Sequence, residues 1–198
     1  MHFLEIIART IIALSFLIVE LYKKKNNKAF EGEYKLDKNL FKTKRFMDFY
    51  TAVSRIFYIV MAVQVFVPET VGFIYLPSFV NITFKVIGLL LVISGFVSYL
   101  WARESLGKYW TPPVCILNNH SVINKGPYLY ERHPIYVSYI LMVFASQLYF
   151  TSWFVIFALI YFVGYRLLAV EEERYMTQEL GKNYIKYKKE TKTLLFIK

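Results

Sequence analysis

Apolar residues in this chain fall into five long blocks separated by shorter polar stretches. The blocks run from about Ile6 to Tyr22, Tyr50 to Val67, Phe79 to Ala102, Pro134 to Phe150, and Ser152 to Val170. Each is near the roughly 20 residues that carry an α-helix across a hydrocarbon core, the fourth being short. The pattern predicts an all-α, polytopic membrane protein with about five transmembrane helices. Beyond the last block, Glu172–Lys189 sets Tyr175, Met176, Leu180, Tyr184 and Tyr187 on its less polar side. That spacing predicts a C-terminal amphipathic helix lying along the membrane. No internal repeat divides the chain, so residues 1–198 read as one integral membrane domain, with the first three spans in 1–105.

Composition agrees with the pattern: 57% of the residues are hydrophobic and the mean hydropathy is +0.38, too apolar for a soluble fold of this size. The net charge of +10 changes the picture only through its distribution. Nine of the 24 basic residues lie between Lys23 and Arg45, and seven lie from Arg174 onward. Basic loops beside apolar spans fit cytoplasmic retention and membrane lipids as partners, not nucleic acid. Pro68–Ser78 and the turn at Phe150–Ser152 carry no Lys or Arg, whereas the third-to-fourth connection carries Arg103, Lys108, Lys125 and Arg132. Alternate loops are thus basic, which predicts an outside amino terminus and a cytoplasmic carboxyl terminus. Five spans satisfy that alternation and four would break it. Glu5 and Arg9 in the opening stretch argue against a signal peptide. Cys115 is the single cysteine, so no intrachain disulfide or multi-cysteine zinc site can form.

Candidate chemistry concentrates where two spans meet the cytoplasmic side. Gly126–Tyr136 precedes and begins the fourth span, with Pro134 at its first position and His133 near the cap. Free N–H groups and the positive dipole end there suit an anion such as a carboxylate; the competing reading is a headgroup anchor. Glu171, Glu172 and Glu173 end the fifth span at the same face, where they oppose the dipole and one another. Either Arg174 and the tail lysines compensate them, or a ligand with a cationic group or hydroxyls does. Arg55, Lys85 and Arg166 fall within apolar runs; Lys85 and Arg166 lie near span ends and can snorkel, leaving Arg55 as the better substrate contact. Gly88, Gly95, Ser98 and Ala102 form a small-residue stripe suited to helix packing. His2, His120 and His133 are too dispersed for a metal centre. No G-x-G-x-x-G nucleotide fingerprint, G-x-S-x-G elbow or H-E-x-x-H motif is present.

These residues resemble the isoprenylcysteine carboxyl methyltransferases and their phospholipid-methyltransferase relatives. The resemblance spans about Leu106 to Lys189. Leu106-Gly107-Lys108-Tyr109-Trp110 is similar to the family's LG-x-x-W, and His120–Tyr128 to H-x-L-V-x-x-G-P-Y. Arg132-His133-Pro134-Ile135-Tyr136 matches R-H-P-x-Y, and Glu172-Glu173 with Leu180–Tyr187 resembles E-E followed by F-G-x-x-Y-x-x-Y. The resemblance implies a membrane-embedded enzyme that moves a methyl group from S-adenosylmethionine to a lipophilic acceptor, best matched by an isoprenylcysteine-like carboxylate. It makes 106–198 the cofactor-binding half. It implies cofactor contacts from His120, Val122, Ile123, Tyr128, His133, Pro134, Tyr136, Glu172 and Glu173, with His133, Glu172 and Glu173 as catalytic candidates. On the bottom-up reading, the start of the fourth span would take the cofactor's carboxylate and the glutamates its ammonium or ribose. Arg55 and Arg166 remain the candidate substrate contacts. The family's acceptor-holding arginines fall here on Leu168 and near Tyr99, a departure that leaves a lipid amine, thiol or hydroxyl acceptor as the alternative. A non-catalytic scaffold or transporter subunit is the rival from another class.

Overall fold

Helices stand at all five apolar blocks in the computed structural model, which describes residues 2–27, 34–36, 40–110, 115–117 and 120–194. They are α1 (His2–Asn27), α2 (Leu40–Phe66), α3 (Ser78–Leu106), α4 (Pro134–Tyr149) and α5 (Ile156–Leu180), followed by the short α6 (Lys182–Glu190). The described structure is otherwise irregular except for single helical turns and one small ribbon, β1 (Tyr34–Leu36) antiparallel to β2 (Cys115–Leu117). Residues 28–33 and 37–39 of the basic first loop lie outside the described residues.

Three stretches are long and apolar enough to cross a membrane: Asp48–Phe66, Ser78–Leu106 and Trp153–Leu180. α4 has 16 residues, a length of about 24 Å against a hydrocarbon core of about 30 Å. α1 has the length but carries Glu5, Arg9 and Glu20. Among the described residues, three helices thus have the length and composition of a span where the sequence pattern predicts five. The tail also differs from the single helix expected over Glu172–Lys189. α5 continues to Leu180, and Gly181 breaks the path at φ +54°, a region that favours glycine, before α6 begins.

Burial follows the membrane logic of the helices. Ile12, Phe16, Phe57, Val92, Met142, Val143 and Tyr161 point inward and form one core shared by α1 to α5. Leu17, Ile59, Leu90, Val97 and Leu159 point outward and are exposed. Apolar groups on the outside suit lipid as the surrounding solvent.

The small-residue stripe is the seam between α3 and α4. A methyl placed at Gly88 would lie 2.6 Å from the Tyr149 backbone N, and one at Gly95 would lie 2.8 Å from Met142 Cγ. Glycine lets the two backbones approach where lipid offers no hydrophobic drive to join them. At the end of the bundle remote from α6, Gln64 and Gln147 exchange amide hydrogen bonds of 3.0 and 3.2 Å, and Gln64 also donates to Ser152 Oγ at 3.0 Å. Glu5, Arg9 and Glu20 on α1 are likewise partnered. Glu5 pairs with Lys85 of α3 at 2.8 Å, Arg9 donates to the Val65 carbonyl at 3.1 Å, and Glu20 accepts from Tyr58 at 2.6 Å. Lys85 thus reaches a carboxylate on the neighbouring helix, a more specific role than snorkelling.

Candidate functional site

The start of α4, the end of α5, α6 and the helical turn Gly126–Leu129 converge at one end of the bundle. Pro134 occupies the first turn of α4 and His133 is its N-cap, as the sequence predicts. The anion at this helix start is supplied by the chain itself. Buried Glu131 accepts from the His133 backbone N–H at 2.9 Å, from Thr193 Oγ1 at 2.6 Å and from the Leu194 N–H at 2.6 Å. The seat expected for a ligand carboxylate is therefore taken by Glu131, which satisfies the helix end and ties down the C-terminal strap Thr191–Leu194.

Arg132 points to the other side of that strap. Its Nη1 donates to the carbonyls of Lys188 at 3.0 Å and Thr191 at 3.1 Å, and its Nε lies 2.8 Å from Glu173 Oε1. Glu173 is 1% exposed and also meets His133 Nε2 at 3.1 Å and Lys188 Nζ at 2.9 Å. A carboxylate this deep is tolerable only with such partners. Glu172 takes a different course. Its Oε1 accepts from the Tyr136 hydroxyl at 2.6 Å, and its Oε2 lies 3.7 Å from His133 Nδ1. The His133 ring stacks on Tyr136 with centroids 5.6 Å apart, and Tyr136 stacks on Tyr165 at 4.5 Å. The imidazole is thus fixed between the two glutamates, and Tyr136 orients Glu172.

A hollow opens beside this cluster, and Glu172 is the one carboxylate among its lining residues. Of the residues singled out in the sequence, His120, Val122, Ile123, Tyr128, His133, Tyr136 and Glu172 all line it. Pro134 and Glu173 do not: Pro134 shapes the helix start, and Glu173 sits behind His133 in the ion network. Arg55 and Arg166 are exposed on α2 and α5 and contribute nothing to the lining. The remaining wall is chiefly aromatic and aliphatic, including Tyr109, Trp110, Met176, Tyr184 and Tyr187. Tyr109 and Trp110 belong to the L-G-x-x-W segment, and Tyr184 and Tyr187 to the Y-x-x-Y pair, so the motifs already contained them. Arg132 both lines the hollow and pairs with Glu173, whereas Lys188 acts through Glu173 alone, a link visible only once α6 is folded against α4.

Burial tunes the groups around the hollow. It lowers the His120 imidazole below its ordinary value, so the ring is neutral at pH 7. It raises the Tyr128 phenol well above its ordinary value, leaving the hydroxyl a donor at any physiological pH. Among the described residues, His120 Nδ1 is buried with no hydrogen-bond partner, and so is the Tyr99 hydroxyl on the neighbouring α3. Buried polar atoms without partners are costly and suit a missing ligand. Aromatic walls, the Glu172 carboxylate, the Arg132 guanidinium and an orphaned imidazole nitrogen together fit a flat heteroaromatic molecule that carries both a cationic and an anionic group. The donor set therefore fits S-adenosylmethionine. On α5, Leu168 is buried against Tyr175, Tyr136 and Tyr165 and brings no charge to the site.

A family model described as the isoprenylcysteine carboxyl methyltransferase family matches residues 77–178. The match covers just over half of the chain, from before α3 to near the end of α5, and includes His120, Tyr128, His133, Tyr136, Glu172 and Glu173. No curated protein matches the chain.

Proposed function

This chain belongs to the isoprenylcysteine carboxyl methyltransferase family, and on that premise we propose that it transfers a methyl group from S-adenosylmethionine to a lipophilic acceptor. The observation that carries this reading is Glu172, held by Tyr136 and facing an aromatic hollow at the end of helices long enough to cross a membrane. When bound, the cofactor supplies an activated methyl group on a cationic sulfur. Glu172 holds the cationic or hydroxyl-bearing part, and His120 Nδ1 and the Tyr128 hydroxyl take its polar edges. The aromatic walls exclude water and flank the rings. Glu173 serves as a positioning residue, because it is already engaged by Arg132, His133 and Lys188. Alternating loop charge supports a cytoplasmic site and a cytoplasmic carboxyl terminus.

The acceptor proposed first is an isoprenylcysteine-like carboxylate, which arrives ionised and needs no base. Tyr99 and Leu168 favour a second reading, since neither offers the positive charge that a carboxylate needs. A hydroxyl, thiol or amine acceptor would have to give up a proton, for which His133 on the wall of the hollow is the candidate base. Labelled-methyl transfer by the purified protein to matched prenylcysteine acceptors, one with a free carboxylate and one amidated, separates the readings. The first predicts product from the free acid alone. Transfer to neither these nor a panel of lipid amines, thiols and alcohols, despite cofactor binding, contradicts the methyltransferase reading.

A further inference from the structure

Outside the hollow, a second open cavity lies beneath the C-terminal strap. Arg132, Lys188, Lys189 and Lys192 line it, and no carboxylate does. Two of these cations are committed, because Arg132 and Lys188 neutralise Glu173. Lys189 and Lys192 are exposed and pair with no carboxylate among the described residues, the nearby Glu190 lying 3.9 Å from Lys186 instead. Its wall also carries an exposed apolar side chain, Ile185. The cavity also sits just past the end of the apolar stretch Trp153–Leu180, at the level where a crossing helix leaves hydrocarbon for headgroups.

We infer that this cavity takes the phosphate of an anionic phospholipid from the leaflet surface, with Ile185 resting against the acyl chains. The inference rests on the membrane character of the helices and does not depend on the methyltransferase reading. Paired cations inside and unpaired lysines outside give the cavity a surplus of positive charge that phosphate neutralises. The contact has a structural consequence. The strap that carries Lys192 also accepts from the Arg132 backbone N–H at 3.2 Å and bonds Glu131 through Thr193 and Leu194. A lipid seated there braces the start of α4.

Thermal unfolding of the full chain in a neutral detergent tests this, with dioctanoyl phosphatidylglycerol, dioctanoyl phosphatidylcholine or inorganic phosphate as the probe. Phosphatidylglycerol is expected to raise the midpoint saturably, and the other two at equal concentration to leave it unmoved. Lys189→Gln with Lys192→Gln should weaken the apparent affinity by about thirtyfold, from about fivefold per charge. Its midpoint without lipid should match wild type, because neither lysine holds the fold. Lys182→Gln with Lys186→Gln, outside the cavity on the same helix, should bind as wild type does. An equal shift with phosphatidylcholine or with inorganic phosphate overturns the proposal. So does the absence of any shift, or an equal loss in the control pair.

Discussion

At the end of α5, Glu173 is buried to 1% exposure among Arg132, His133 and Lys188, while its neighbour Glu172 reaches the hollow under the Tyr136 hydroxyl. Glu173→Gln removes the charge that compensates two cations, and should cost about 3–5 kcal/mol. A denaturant titration should show the midpoint falling by the corresponding amount, with Glu172→Gln remaining within about 1 kcal/mol of wild type. His120 carries a pH signature. Its pKa is lowered in the folded chain, so the unfolded chain binds the proton more readily. Stability should therefore fall as pH drops below about 6.5, and His120→Gln should flatten that slope in thermal scans between pH 5 and pH 7, as the imidazole's ordinary pKa dictates. Sequence made both glutamates equally plausible contacts. Successive helical residues point about 100° apart, so only the placement of α4 and α6 decides which one faces the hollow. Glu131 did not stand out in the sequence, because the strap that completes its bonding lies 62 residues away.

Among the elements, helix positions were read most directly, because long apolar blocks leave a membrane chain few alternatives. Pro134 marked the start of α4 without ambiguity, and the Gly88–Gly95 stripe marked the face that α4 packs against. Gly88→Ala should separate α3 and α4 and destabilise the protein by about 1–3 kcal/mol, measured by unfolding in mild detergent. Gly107→Ala is the contrast, since a methyl there meets nothing within 4 Å and any cost comes from its φ of +55°. The tail was read less well. Periodicity carried Tyr175, Tyr184 and Tyr187 to one side, and all three are buried, but the break at Gly181 depends on a backbone conformation that periodicity does not encode. Arg55 and Arg166 show the opposite limit. A charge inside an apolar run signals function on average, yet here both side chains lie on exposed surfaces.

For the molecule as a whole, three helices with crossing length, outward apolar faces and membership of a membrane methyltransferase family fix the setting. The short α4 and the charged α1 complete the bundle around a site built at one end, where aromatic walls, Glu172 and a neutral His120 converge. The claim at the centre of this account is that the hollow holds S-adenosylmethionine through Glu172. Equilibrium binding of labelled S-adenosylhomocysteine to the detergent-purified chain tests it most directly, with Glu172→Gln beside wild type. Wild type is expected to bind saturably, and Glu172→Gln to lose at least about tenfold, the size of one charged hydrogen bond, without a matching loss of stability. Well-folded wild type that binds nothing, or a Glu172→Gln variant that binds equally well, would contradict it.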